Sequence, residues 1–195
     1  MNYLAHTFLS GNDDELLIGN FIADGVRGKQ AQAFSPGIIN GIALHRAIDA
    51  FTDTHPVVAE TKNRLRTKYK KYAPVIADMY YDHFLASRFE LYADVPLEIY
   101  TSEVYKLITS YQAILPARVQ HLFAHMKQHN WLLSYAQLSG IGQALTGMSQ
   151  RTTFNSGMET AVYELQENYA LYEQEFALFF PELVTYSEAF RKTLL

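Results

Sequence analysis

His45 and Asp49 stand four residues apart in the stretch Gly41-Ile42-Ala43-Leu44-His45-Arg46-Ala47-Ile48-Asp49-Ala50-Phe51-Thr52-Asp53. Ile38, Ile42, Leu44, Ile48 and Phe51 recur at helical spacing, so the stretch reads as an amphipathic helix. Residues at i and i+4 share one face, which stacks His45 and Asp49 one turn apart. On a helical wheel both fall between Ile42 and Ile48, toward the core. A carboxylate is rarely buried there without a partner or a metal. An imidazole and a carboxylate aimed together from a rigid helix suit Zn, Mn or Fe coordination. A buried His–Asp hydrogen bond that orients two helices is the structural alternative.

A second constellation lies in the run opened by Pro74. Asp78 and Asp82 again share a face at i, i+4, and His83 adjoins Asp82, among Val75, Ile76, Met79 and Leu85. Two separate helices each presenting an acid and an imidazole from apolar surroundings favour a metal site over packing alone. The chain has no cysteine, so any metal must be held by His, Asp and Glu, a donor set that suits Mn²⁺, Fe²⁺ or Mg²⁺. His6, among Tyr3, Leu4, Phe8 and Leu9, reads in isolation as a core histidine. Asp24, before Gly25, reads in isolation as a turn residue.

Three basic features complete the chemistry. Arg27 and Lys29 flank Gly28 in a loose anion-binding pattern, and Arg151 follows Gly147 where a guanidinium can clamp a phosphate bidentately. Lys62, Arg64, Arg66, Lys68, Lys70 and Lys71 crowd one predicted helix, which either attracts an acidic partner or is a solvated face. His121, His125 and His129 form an i, i+4, i+8 stripe without a carboxylate in it, beside Lys127, Gln128 and Asn130, and read as a surface face.

The elements that must position these groups are helices. Gly11 stops a short helix over residues 2–9, and Asn12 or Asp13 caps the next, which runs to Asp24-Gly25. Ser35-Pro36 starts the helix of His45 and Asp49, which ends near Thr54-His55-Pro56. Pro56, Pro74, Pro96, Pro116 and Pro181 mark further helix starts, and residues 156–178 read as one long helix before the last. No period-2 strand and no hairpin signal appears. The expectation is an all-α, single-domain helical bundle over residues 1–195. Its 49% apolar content supports a sizeable core, and its net charge of −4 argues against a nucleic-acid binder. The apolar runs are shorter than a membrane span, and the first residues lack a basic, cleavable leader pattern, so a cytoplasmic protein with no membrane partner is expected.

Several short motifs in order resemble the bacterial acyl carrier protein phosphodiesterases: Asn2-Tyr3-Leu4-Ala5-His6, Gly19-Asn20-Phe21-Ile22-Ala23-Asp24, Arg27-Gly28, Gly41-Ile42, His45-Arg46-Ala47-Ile48-Asp49, Thr52-Asp53, Asp82-His83-Phe84-Leu85 and Gly147-Met148-Ser149-Gln150-Arg151. The resemblance is dense through residue 90 and thinner beyond it. It implies a hydrolase that releases 4′-phosphopantetheine from holo acyl carrier protein, leaving the apo carrier, with a helical fold and a metal site similar to those of HD-type phosphohydrolases and a preference for Mn²⁺ over the alternatives Fe²⁺ and Mg²⁺. The usual His-Asp doublet is replaced here by Asp82-His83. On that resemblance His45, Asp49, Asp82 and His83 supply most ligands. Asp24 completes the shell or orients the attacking water, and His6 is a ligand or the proton donor to the leaving serine oxygen. Arg27, Arg46 or Arg151 holds the phosphate, and the basic helix borders the site and docks the carrier. The competing readings are an HD-like phosphohydrolase acting on a nucleotide or other small phosphoester, and a non-catalytic helical binding module.

Overall fold

The computed structural model describes residues 1–194. Among the described residues eleven α-helices follow one another: α1 (Tyr3–Leu9), α2 (Asp14–Ile22), α3 (Pro36–Thr54), α4 (Pro56–Tyr69), α5 (Ala73–Ser87), α6 (Leu97–Ser110), α7 (Ala117–Gln128), α8 (Trp131–Ser134), α9 (Leu138–Ser149), α10 (Ala161–Glu167) and α11 (Tyr169–Lys192). Short 3₁₀ turns join several of them, and no strand occurs among the described residues. The all-α expectation holds. No helix of the described chain is long and apolar enough to cross a membrane.

Helix starts follow side-chain chemistry. Asp13 accepts a hydrogen bond from the Leu16 N–H at 2.9 Å, which satisfies one free donor of α2. Ser35 does the same for α3, with Pro36 at its first position. Pro56, Pro74, Pro96 and Pro116 likewise sit at or within two residues of helix starts.

Pro181 does not. It lies inside α11, where its nitrogen cannot donate to the Ala177 carbonyl. The helix continues because Phe176, Phe179, Phe180 and Leu183 bury one continuous face on both sides of the proline. The expected helix over 156–178 is interrupted instead at Asn168, whose side-chain amide donates to the Glu164 side chain at 2.9 Å. An asparagine amide that finds local partners competes with the helical ladder.

The α2–α3 crossing sets the centre of the molecule. Gly19 and Gly41 meet with no side chain between the backbones, and a Cβ on Gly41 would lie 2.8 Å from the Gly19 Cα and overlap the Leu16 carbonyl. Only glycine permits that approach. It brings the Asn20 backbone against the next turn of α3, which carries His45. On its other sides α3 packs on α4 and α11, while α1 packs on α2 and α5.

Candidate functional site

Asn20 is fully buried on α2 and organises two histidines. Its amide donates to the His6 carbonyl at 2.8 Å and to the Ser10 hydroxyl at 3.0 Å. The His6 carbonyl can only accept, which fixes the Asn20 amide orientation. Its Oδ1 therefore accepts from His6 Nδ1 at 2.7 Å, and its backbone carbonyl accepts from His45 Nδ1 at 2.9 Å. Both imidazoles thus carry a proton on Nδ1 and turn Nε2 the other way.

The Nε2 atoms converge on Asp49. His6 Nε2 is 3.2 Å from Asp49 Oδ1, and His45 Nε2 is 3.2 Å from Asp49 Oδ2 and 3.4 Å from Asp24 Oδ1. Ligand atoms of His6, His45 and Asp49 all lie within 4.8 Å of one another. Two imidazole lone pairs and two carboxylates at this range repel unless a cation or proton sits among them. Burial and the Nδ1 hydrogen bonds fix the donors in place, so the arrangement fits a divalent ion with mixed nitrogen and oxygen ligands.

Without such an ion a proton takes that place. Burial pulls the His45 pKa down, but hydrogen bonds to Asp24 and Asp49 and their charges outweigh it and raise the pKa to about 9. Burial lowers the His6 pKa, and the neighbouring His45 charge lowers it further. The His45 hydrogen bond holds Asp24 ionised below the usual carboxylate range. Burial opposes ionisation of Asp49, yet its bonds to His45 and His6 also keep it well below that range.

Asp82 and His83 do not join this group, a correction to the expected ligand set. Asp82 is fully buried and accepts from the N–H groups of Asn2, Leu4 and Ala5 at 3.1, 2.8 and 3.4 Å. It caps the start of α1 through space, satisfying helix donors that no local side chain reaches. Burial, opposed by the N-terminal amino group and these N–H groups, raises its pKa to about 7. His83 places Nδ1 2.7 Å from the Tyr135 carbonyl and Nε2 3.0 Å from the Tyr169 hydroxyl, so both nitrogens are engaged away from Asp49. Burial lowers its pKa, as suits a neutral structural imidazole. Asp78 Oδ1 lies 3.0 Å from the Met1 amino nitrogen.

A cleft of about 1080 Å³ adjoins the histidines at Asp24. Tyr3, Arg118, Trp131, Tyr135, Met148 and Arg151 line it, together with the histidines of α7. Of the three arginines expected at the phosphate, Arg151 lines the cleft. Arg27 and Arg46 are exposed and do not line it. His121, His125 and His129 are exposed, as their polar neighbours suggested, but to this cleft, because residues of α9 line it as well. Arg118 carried no sequence signal beyond its i, i+3, i+7 spacing to His121 and His125, and the polar neighbours hid it.

The basic helix is also placed differently. Lys62 is buried with Nζ 2.6 Å from Asp53 Oδ1. Arg64 grips Glu175 through two bonds of 3.1 and 2.8 Å. None of Lys62, Arg64, Arg66, Lys68, Lys70 and Lys71 lines the cleft. Two of the six charges hold α4 in the fold, and the exposed remainder is Arg66, Lys68, Lys70 and Lys71.

Fold and site together define a helical protein with a candidate imidazole–carboxylate metal centre that adjoins a cleft at Asp24. The chain belongs to the acyl carrier protein phosphodiesterase family, whose model matches residues 1–183. It is 33% identical over 189 residues to the acyl carrier protein phosphodiesterase of Yersinia enterocolitica, covering 96% of this chain and 98% of that relative. It is 32% identical over 195 residues to the protein of that name from Escherichia coli O157:H7, across the full length of both, and 32% identical over 189 residues to that of Photorhabdus laumondii. No solved structure matches the chain significantly.

Proposed function

We propose that this chain is a metal-dependent phosphodiesterase that hydrolyses the bond between 4′-phosphopantetheine and the serine of holo acyl carrier protein, giving the apo carrier. Family membership supports the substrate. The metal dependence rests on one observation: two histidines whose Nδ1 atoms are both committed to Asn20 present Nε2 to Asp49. His6, His45 and Asp49 would hold the ion, with Asp24 at its cleft side. Mn²⁺, with Fe²⁺ and Mg²⁺ as alternatives, would neutralise phosphate charge there and would lower the pKa of water toward ~7, the value known for zinc.

The chain's own residues do the rest. Asn20 fixes the tautomer and direction of both imidazoles. Asp24, ionised and facing the cleft, orients the attacking water, accepts its proton and hands it on to the leaving serine oxygen. His6 is buried, with both nitrogens already engaged, and serves as a ligand rather than as the proton donor. Arg151 meets the phosphate with a planar fork of donors.

Incubation with holo carrier and Mn²⁺, with products weighed by mass spectrometry, tests this reading. Release of phosphopantetheine that stops in EDTA and returns with Mn²⁺ is expected. No release from the carrier, alongside turnover of a nucleotide phosphoester, would instead favour the HD-like phosphohydrolase. Activity that survives exhaustive chelation would exclude the metal mechanism.

A further inference from the structure

α7 carries two histidines for which the proposed reaction has no use. His121 and His125 stand four residues apart, and both are exposed and line the cleft. Residues at i and i+4 share a helix face. Val119, Phe123 and Met126 are buried on the opposite face of α7 and fix the helix against the core. The pair is therefore borne by an anchored element rather than by a loop.

Both rings are free to ligate. Among the described residues no ring nitrogen of His121 or His125 takes part in a hydrogen bond or an ion pair, whereas those of His6, His45, His55 and His83 do. The two rings lie with centroids 4.9 Å apart and planes 81° from parallel. An imidazole nitrogen binds Zn²⁺ at about 2.1 Å, and its ring centre lies about 1.2 Å further back, so each ring centre stands ~3.3 Å from the ion. Two such rings at an angle of ~90–110° about the ion have centres ~4.7–5.4 Å apart. The observed separation lies within that range, so the pair needs no backbone movement to close on one ion.

The donor set also sorts the ion. His129 falls at the C-cap of α7, where the chain leaves the helix. Among the described residues no third His, Asp or Glu joins the pair in a group whose ligand atoms come within 4.8 Å. Two imidazoles without a carboxylate suit Zn²⁺, Ni²⁺ or Cu²⁺, whereas Mn²⁺ and Mg²⁺ favour oxygen donors. Of the neighbouring cations, Lys127 is engaged with the Thr109 hydroxyl at 3.0 Å. Arg118, one turn before His121, is exposed, so its repulsion of an ion is screened by solvent and salt.

We infer that His121 and His125 form a second metal site, open to the cleft and separate from His6, His45 and Asp49. It takes a late first-row divalent ion, Zn²⁺ foremost, through two imidazole nitrogens and leaves the remaining positions to water. The two sites divide metals by ligand chemistry: the one with a carboxylate suits Mn²⁺, and the one without suits the later ion.

Binding tests this without recourse to turnover, so the outcome stands whether or not the chain hydrolyses the carrier. Zn²⁺ and, separately, Mn²⁺ are titrated calorimetrically at pH ~7.5 into the whole protein, stripped with EDTA and dialysed. One equivalent of Zn²⁺ should be lost, or weakened ~10-fold or more, in His121→Ala and in His125→Ala, and kept in His129→Ala and Asp49→Asn. Mn²⁺ binding should be the same in wild type and the α7 variants. Both histidines are exposed and alanine favours a helix, so far-UV circular dichroism should not change. Zn²⁺ stoichiometry and affinity equal to wild type in either His121→Ala or His125→Ala overturns the site, and so does an equal loss in His129→Ala. An equivalent lost in Asp49→Asn as well as in the α7 variants would make the two sites one and overturn the second. Mn²⁺ affinity that falls in the α7 variants as Zn²⁺ affinity does overturns the selectivity.

Discussion

The imidazole rings of His6 and His45 lie stacked, with centroids 4.0 Å apart and planes 16° from parallel, and both turn Nε2 toward the Asp49 carboxylate. One residue from each of α1 and α3 is held in this pose by a single asparagine on α2. The three helices therefore meet at one polar point at the edge of the core, where two buried imidazoles face a half-exposed carboxylate.

Asp49→Asn tests that arrangement. Removing a ligand charge should lower carrier hydrolysis by at least ~100-fold while far-UV circular dichroism stays unchanged. Near-normal turnover at saturating Mn²⁺ would take Asp49 out of the site.

Asn20→Ala should weaken Mn²⁺ binding by ~10–100-fold, since it removes the Oδ1 that fixes the Nδ1 proton of His6, while the backbone carbonyl at this position still holds His45. Calorimetric titration of the metal-free protein measures it. The alanine also leaves a cavity, so the comparison is made below the melting temperature of the variant, with Asn20→Asp as a second variant that keeps the acceptor. Mn²⁺ affinity equal to wild type in both would remove Asn20 from the metal centre.

Asp82→Ala should act on stability and spare the metal centre. It leaves the N–H groups of Asn2, Leu4 and Ala5 buried without their acceptor, at a cost on the order of 2–4 kcal/mol. A urea midpoint unchanged from wild type, or a complete loss of Mn²⁺ binding by the folded variant, would contradict the capping role.

The metal-free protein should lose stability as pH rises. His45 gains its folded-state pKa of about 9 from Asp24 and Asp49, against an ordinary value near 6.5. A raised pKa contributes stability that is fully present below ~6.5 and lost as pH climbs through about 9, on the order of 2–3 kcal/mol. Urea midpoints in EDTA from pH 6 to pH 10 should therefore fall, whereas His45→Gln should show a flatter profile. Identical profiles for the two proteins would place the proton elsewhere.

Charge reversal separates the two groups of cations on α4 and the turn after it. Lys68, Lys70 and Lys71 are exposed, and Lys71 lies over the exposed ring of Phe154 at 4.6 Å. Changing the three to Glu should reduce kcat/KM for an acidic carrier and flatten its salt dependence, with bis(p-nitrophenyl) phosphate hydrolysed as before. Arg64→Glu should instead lower the melting temperature, because it sets two carboxylates against each other at Glu175. Equal losses on both substrates in the lysine variant would indicate damage to the fold.

The sequence by itself determined the helical class, most of the helix starts and one helix's share of the candidate centre. Proline and cap residues act within one turn, and apolar periodicity is local, so α2, α3 and α7 were legible from their own residues. His45 and Asp49 were legible for the same reason, because a helix places i and i+4 side by side whatever surrounds it. Tertiary structure decided which other groups joined them. The same spacing logic drew in Asp82 and His83, yet one is consumed by the free N–H groups of α1 and the other by Tyr135 and Tyr169. Periodicity shows that a polar group faces inward but not which partner meets it there. His6 needed the glycine-on-glycine contact of Gly19 and Gly41 to place Asn20 between α1 and α3. The α7 histidines and Arg118 looked like solvated residues because a cleft wall and an open surface carry the same polar pattern. Only the folding of α9 beside them separates the two, and that is set by contacts between residues far apart in the chain.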